Sequence, residues 1–173
     1  MLASTFRRLV TMDTSNFLES FLHVLEEAHV PYCVVGGQAV NAYVEPLVSL
    51  DLDVVIAATE IGSIKERLRS AFIVEPFPHS LNVSQTGSDL RAQIQTDQRY
   101  ADFLRRAKVR NVLGREMPVA AVEDVLQGKV WAASDPGRRG SKRQKDLADI
   151  ARLLEKFPAL RVDVPDSLLS KLL

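Results

Sequence analysis

The stretch Val34-Val35-Gly36-Gly37, followed after thirteen residues by Asp51-Leu52-Asp53-Val54-Val55-Ile56, decides how this chain is read. One apolar run ends in a glycine pair, and a second begins with two aspartates one residue apart. On a strand over residues 50–57, alternate side chains share a face. Asp51 and Asp53 then stand side by side. One of two neighbouring carboxylates takes up a proton unless a cation lies between them. A hard divalent ion such as Mg²⁺ or Mn²⁺ takes oxygen ligands and suits the pair. The competing reading is a solvated D-x-D at the start of a strand. The glycine pair and the downstream residues favour the cation.

Toward the N-terminus, Tyr32 to Val35 reads as a short buried strand. Before it, Asp13-Thr14-Ser15 offers capping oxygens to a helix over 13–29, with Phe17, Leu18, Phe21, Leu22 and Leu25 at helical spacing. After Gly36, residues 37–43 read as a helix that Pro46 ends, and its first N–H groups and dipole can meet a phosphate. Beyond the aspartates, residues 60–72 read as a helix with Ile61, Ile64, Leu68 and Ala71 on one stripe. Short strands are expected around Pro76 and Pro78. Residues 89–96 alternate: Leu90, Ala92 and Ile94 face one way, while Asp89, Arg91, Gln93 and Gln95 face the other, and Asp97 follows on the Gln93 side. A short helix over 100–107 and a hairpin over 109–119 come next.

The C-terminal part reads as two helices. Val122, Val125, Leu126, Val130 and Ala133 form one stripe, and Lys129 falls in its middle. Burying an unpaired ammonium is costly, so Lys129 either snorkels out or meets an acidic or phosphate partner. A turn-rich loop over 134–140 is surrounded by Arg138, Arg139, Lys142, Arg143 and Lys145. It is a solvated basic loop, or a clamp for a triphosphate or an RNA backbone. Ser141 can cap a helix over 142–156 with the stripe Leu147, Ile150, Ala151, Leu153 and Leu154. Asp146 and Arg143 fall inside that arc, and Asp149 lies at its edge. A buried Arg143–Asp146 pair explains both; so does Asp146 meeting Lys129 across a site. Residues 165–173 form a short amphipathic tail.

Composition narrows the class. The 173 residues match about one domain by length. The formal net charge is zero, so no overall field draws the chain to nucleic acid or membrane, and any nucleic-acid site is local. No run approaches the roughly 18 apolar residues of a membrane span. Arg7 and Arg8 have no long apolar core after them, a poor pattern for a secretory signal. The lone cysteine, Cys33, sits in an apolar run as a small core residue without an internal disulfide partner, which fits a reducing, cytoplasmic setting.

The glycine pair, the thirteen-residue spacing and the Asp51-x-Asp53 strand resemble the signature of the nucleotidyltransferase superfamily of polymerase-beta type. The longer run Val34 to Val40 resembles its minimal members, including the toxins of abortive-infection toxin–antitoxin systems. Lys129, the basic loop and Lys145-Asp146-x-x-Asp149-Ile150 resemble the C-terminal pattern of those toxins. The resemblance implies phosphate binding by Gly36, Gly37 and Gln38, metal binding by Asp51 and Asp53, and active-site roles for Lys129 and Asp146. It implies nucleotide contacts from Ser49, Arg139 and Lys145. Two positions depart from the pattern. The third carboxylate of the family falls on Gln93, with Asp97 as a substitute at the strand end. Leu47 stands where an arginine precedes the aspartates, while Ser49 keeps the hydroxyl.

The expectation is therefore one α/β domain over 1–173, with a short mixed sheet flanked by helices. Its parts are an N-terminal helix (13–29), a core (31–97) and a C-terminal helical part (121–173). The expected reaction is Mg²⁺-dependent transfer of a nucleoside monophosphate from a nucleoside triphosphate to a protein hydroxyl, an RNA or tRNA end, or a small molecule. A toxin role with a cognate antitoxin is part of that expectation. Two alternatives stay open: a nucleotide- or partner-binding pseudoenzyme, because of Gln93, and an RNA-binding regulator using the basic loop.

Overall fold

A computed structural model describes residues 16–172. The capping residues expected at 13–15 lie outside them. Helix α1 (Phe17–Glu27) buries its whole predicted stripe, Phe17, Leu18, Phe21, Leu22 and Leu25. The chain then enters β1 (Tyr32–Val35) and turns directly into α2 (Gly36–Tyr43). The aspartate strand is β2 (Asp51–Ile56), followed by one 3₁₀ turn and α3 (Ile61–Arg69). Helix α3 ends three residues earlier than the periodicity suggests. Phe72 instead turns edge-on against Phe17, with ring centroids 5.4 Å apart, and the chain comes back as a strand.

Three strands follow: β3 (Ile73–Phe77), β4 (Ser80–Ser84) and β5 (Arg91–Gln95). After a 3₁₀ turn and the single-turn helix α4 (Phe103–Arg106) come β6 (Lys108–Val112) and β7 (Arg115–Val119). All seven strands join one mixed sheet in the order β3-β4-β5-β2-β1-β7-β6. Strand β2 is in the middle, antiparallel to β1 and parallel to β5. Pro76 is accommodated in β3, an edge strand, where a missing N–H costs least.

Helices α5 (Val122–Ser134) and α6 (Gly140–Lys156) pack on each other, and the single-turn α7 (Asp166–Leu169) packs on α5. Helix α6 begins at Gly140, so Ser141 lies inside its first turn rather than capping it. Leu52, Val54, Ala92 and Ile94 point away from the aspartate face into a continuous apolar core that α1 and α3 join. Among the described residues, no helix is long and apolar enough to cross a membrane. Cys33 is buried in the sheet; burial and then the charge of Asp124 push its thiol up to about 12, so it is an inert core residue.

One local constraint locates the functional face. Gly36 has φ +67, and a Cβ built there would lie 2.1 Å from Oδ2 of Asp53. Only glycine satisfies both the backbone angle and that approach. Gly37 is different, because a Cβ there would meet only the Ser49 hydroxyl, at 3.5 Å. Accordingly, Gly36→Ala should lower stability by about 2 kcal/mol or more in urea unfolding, while Gly37→Ala stays within about 0.5 kcal/mol. Equal effects at the two positions would contradict this account.

Candidate active site

Strand pairing assembles the site. On β2, Asp53 lies opposite Val35 of β1 on one side and opposite Gln93 of β5 on the other. Opposite residues in a sheet share a face. Asp53, Gln93 and the Gly36 turn therefore converge on one spot, with Asp51 one pleat away. The amide of Gln93 occupies the register position where the family resemblance places an acid. Asp97 does not replace it. Its carboxylate accepts the Arg99 backbone N–H at 3.0 Å and pairs with the Arg99 side chain at 3.1 Å.

The two aspartates sit in different fields. Asp51 is partly exposed and meets Arg91 at 3.0 Å and Lys142 at 3.7 Å. Asp53 has no such partner among the described residues. Burial pushes its carboxyl up to about 6; the charge of Lys129 pulls the other way, and the charge of Asp51 adds to the rise.

Lys129 is the hub of the opposite wall. Its ammonium contacts Asp146 at 3.1 Å and Asp149 at 2.8 Å. Burial works against its charge, but the Asp149 and Asp146 carboxylates outweigh it and hold its pKa above the ordinary lysine value. Asp146, whose side chain is 2% exposed, also accepts from Arg138 Nε at 2.8 Å. The anions that Lys129 meets are thus two carboxylates of α6, Asp146 and Asp149. The expected alternative, an Arg143–Asp146 pair, is not formed: Arg143 donates to the backbone carbonyl of Asp135 at 2.7 Å.

The loop before β2 is tied to α2. Gln38, buried to 1% exposure, donates to the Ser49 carbonyl at 2.9 Å. Asn41 holds Leu47 through both its amide donor, at 2.7 Å, and its carbonyl, at 3.0 Å. Arg152, paired with Asp149 one turn back on α6, reaches across to Asn41 and the Glu45 carbonyl. Gln38 is therefore a strut behind the turn, not a group in the cleft.

The resulting cleft is lined by Gly37, Ser49, Asp51, Asp53, Lys129, Lys145 and Asp146, all singled out in the sequence. Gln93, Arg138, Lys142, Asp149 and Arg152 are among its other lining residues. A second cleft lies across Asp53 and includes Gly36. Arg139 lines neither; it occupies the cap position of α6, and its neighbour Arg138 turns inward instead. Helical or loop phase between two adjacent arginines carries no signal in a sequence. The struts Asn41 and Arg152 were missed for a related reason, since both act through backbone carbonyls that any residue supplies.

Among the described residues, no three His, Cys, Asp or Glu side chains gather closely enough to hold a metal by themselves. The donor chemistry of Asp51 and Asp53, with the Gln93 amide carbonyl beside them, fits a hard cation that brings further oxygens of its own.

No protein-family model and no curated protein matches the sequence. Solved structures do share its shape. The antibiotic-resistance factor ANT(2'')-Ia, in complex with adenylyl-2"-tobramycin, aligns with a TM-score of 0.56 at 16% identity, covering 90% of this chain and 97% of that one. The lincomycin-bound lincosamide antibiotic adenylyltransferase LnuA aligns with a TM-score of 0.55 at 14% identity, covering 82% and 98%. An antigenic nucleotidyltransferase-like protein from Paracoccidioides brasiliensis gives 0.52 at 15% identity, covering 87% and 76%. This is the nucleotidyltransferase fold. The mixed sheet with flanking helices expected from the glycine pair and the D-x-D strand is the one found.

Within this nucleotidyltransferase fold the charges make two predictions. The folded pKa of Asp53, about 6, lies above its ordinary 3.8, so the folded state keeps a proton that the unfolded chain has lost. Ionising it therefore lowers stability as pH rises through that window. Asp53→Asn should raise the metal-free melting temperature at about pH 8, corresponding to at most ~3 kcal/mol, and the two proteins should converge below about pH 4. A lower melting temperature at high pH would contradict this. Separately, Lys129→Met leaves buried Asp146 and Asp149 with one cationic partner each, Arg138 and Arg152, and should cost about 2 kcal/mol in chemical denaturation; an unchanged midpoint would place Lys129 in solvent.

Proposed function

We propose that this chain transfers a nucleoside monophosphate from a nucleoside triphosphate to an acceptor, releasing pyrophosphate. The observation that carries the reading is the pair Asp51 and Asp53, side by side on the central strand and beside the Gly36 turn, facing Lys129, Arg138, Lys142 and Lys145 across one cleft. Two acids beside several cations are contradictory for a purely anionic or purely cationic ligand. They suit a polyphosphate that carries a divalent cation.

In this reading Asp51 and Asp53 would hold Mg²⁺ or Mn²⁺, which would supply neutralisation of the phosphate charge. The chain's own residues do the rest. Lys142 and Lys145 meet phosphate oxygens from the α6 side. The start of α2 presents backbone N–H groups at Gly37. The Lys129–Asp146–Arg138 network holds the opposite wall at fixed distance, so the α-phosphorus is presented to an acceptor rather than to bulk water.

The basic loop supports this reading over an RNA-binding regulator. Arg138 is turned inward onto Asp146 through Nε, Arg143 donates to the Asp135 carbonyl, and Lys142 leans on Asp51. The loop is built into the cleft instead of standing free as a patch. The pseudoenzyme reading draws on Gln93 alone. A cognate antitoxin and a protein or tRNA acceptor follow from the sequence resemblance, and we attach them to this proposal only at that level.

Calorimetric titration with each triphosphate tests the proposal. Binding should require Mg²⁺ or Mn²⁺, and Asp51→Asn should weaken the metal-dependent part about tenfold or more. Triphosphate binding that is indifferent to both the cation and Asp51 would overturn it.

A further inference from the structure

Two clefts meet over Asp53, Gln93 and Lys129, and the proposed triphosphate site uses only the first. The second is lined by Ser80, Gln95, Arg99, Tyr100, Trp131 and Arg138, among others. A two-substrate transfer needs such a second approach to the reacting phosphorus, and its lining reports what kind of acceptor fits.

Apart from Asp53, the carboxylates on that side are already engaged. Asp124 takes a bidentate grip from Arg106, at 2.8 and 2.7 Å. Asp135 accepts the Gly137 N–H at 2.9 Å, and Asp146 is shared by Lys129 and Arg138. The cations are less committed. The Arg99 guanidinium lies against Trp131, 4.8 Å from the ring centroid, and against Tyr100, at 5.5 Å. It pairs with Asp97 through Nε, its side chain is half exposed, and it keeps further N–H donors for a ligand. Arg138 is one-third exposed at the junction of the two clefts.

The two carboxylates at the junction are committed, Asp53 to the cation of the proposed reading and Asp146 to Lys129 and Arg138, which leaves no free base there for a hydroxyl acceptor. A hydroxyl must lose its proton to a base within about 3 Å as it attacks. The residue facing Asp53 from β5 is Gln93, an amide that cannot take a proton. It makes no side-chain hydrogen bond to the described residues and lines both clefts, so its N–H donors are available to an incoming oxygen. An acid at this position would repel an anion; the amide receives one.

We infer that the acceptor is an oxygen acid, a phosphomonoester or a carboxylate, held in the second cleft by Arg99 and Arg138 and met at the junction by the Gln93 amide. The inference rests on nucleotidyl transfer as the reaction of the first cleft. An already ionised acceptor oxygen attacks the α-phosphorus and forms the new O–P bond. The bond from that phosphorus to the bridging oxygen breaks, and pyrophosphate leaves with the electron pair. No acceptor proton has to be removed. The product is a phosphoanhydride from a phosphomonoester, or a mixed anhydride from a carboxylate.

The test offers the full chain an α-labelled triphosphate and Mg²⁺ with glycerol phosphate, acetate or glycerol, and locates the new bond by phosphorus NMR. Label should pass to the phosphate oxygen of glycerol phosphate or to acetate, which separates the two sources, and not to glycerol. Arg99→Ala should raise the acceptor KM about tenfold, with Arg99→Lys recovering part of it. Gln93→Glu should slow transfer to the anion and admit glycerol, because it adds a base. Transfer from the unaltered chain to a hydroxyl oxygen would overturn the inference, as would its loss in His79→Ala, since His79 is an imidazole lining the same cleft. So would a KM for triphosphate that moves with Arg99 as much as the acceptor KM does. Triphosphate binding with no transfer to either anion sinks this inference and leaves the first site standing. Absence of triphosphate binding removes the reading beneath it.

Discussion

The structure turns on the approach of a bare backbone to a buried carboxylate. Asp53 is central in the sheet, and the chain crosses over it at Gly36 with no room for a side chain. That contact couples three elements at once: the end of β1, the start of α2 and the middle of β2. It also explains why the acid is where it is. A carboxylate pressed against a backbone turn is shielded from water on that side, which raises the cost of its charge.

The opposite wall answers that cost with a second charge network. Lys129 is buried between Asp146 and Asp149, and Arg138 and Arg152 close the ends. Such a network contributes little net stability compared with apolar packing, because desolvation offsets most of the Coulomb gain. Its contribution is positional. Helices α5 and α6 are held at the distance where Lys129 still reaches the field of Asp53. The loop before β2 is fixed in the same manner by Asn41, Gln38 and Arg152. Both aspartates are thus presented by elements locked on two sides.

Much of this was legible in the residues. The paired acids, the glycine turn, the strand alternation around Gln93 and the misplaced-looking Lys129 all violate a bland pattern: charge at a strand centre, charge on an apolar helix stripe. Each violation fell on a residue that the fold brings to one of the two clefts. Where the reading failed, the cause was rotational. Arg138 and Arg139 are adjacent and chemically identical, and only the path of the loop into α6 decides which one turns toward Asp146. Arg143 was a plausible partner for Asp146 by helical arc, yet its long side chain folds back to the preceding loop. Asp97 shared a face with Gln93 on paper, but the chain leaves the strand there and the carboxylate caps the following turn.

What the residues determined alone was the set of local conformations and the two acids on one face. Strand periodicity, helical periodicity and the unique backbone range of glycine are properties of short segments and need no partners. What only the tertiary structure decided was pairing: Lys129 with Asp146 and Asp149, Asp51 with Arg91 and Lys142, and Gln93 opposite Asp53. The physical reason is that long charged side chains have several reachable partners of similar energy. The choice among them falls to the geometry that the packed core imposes.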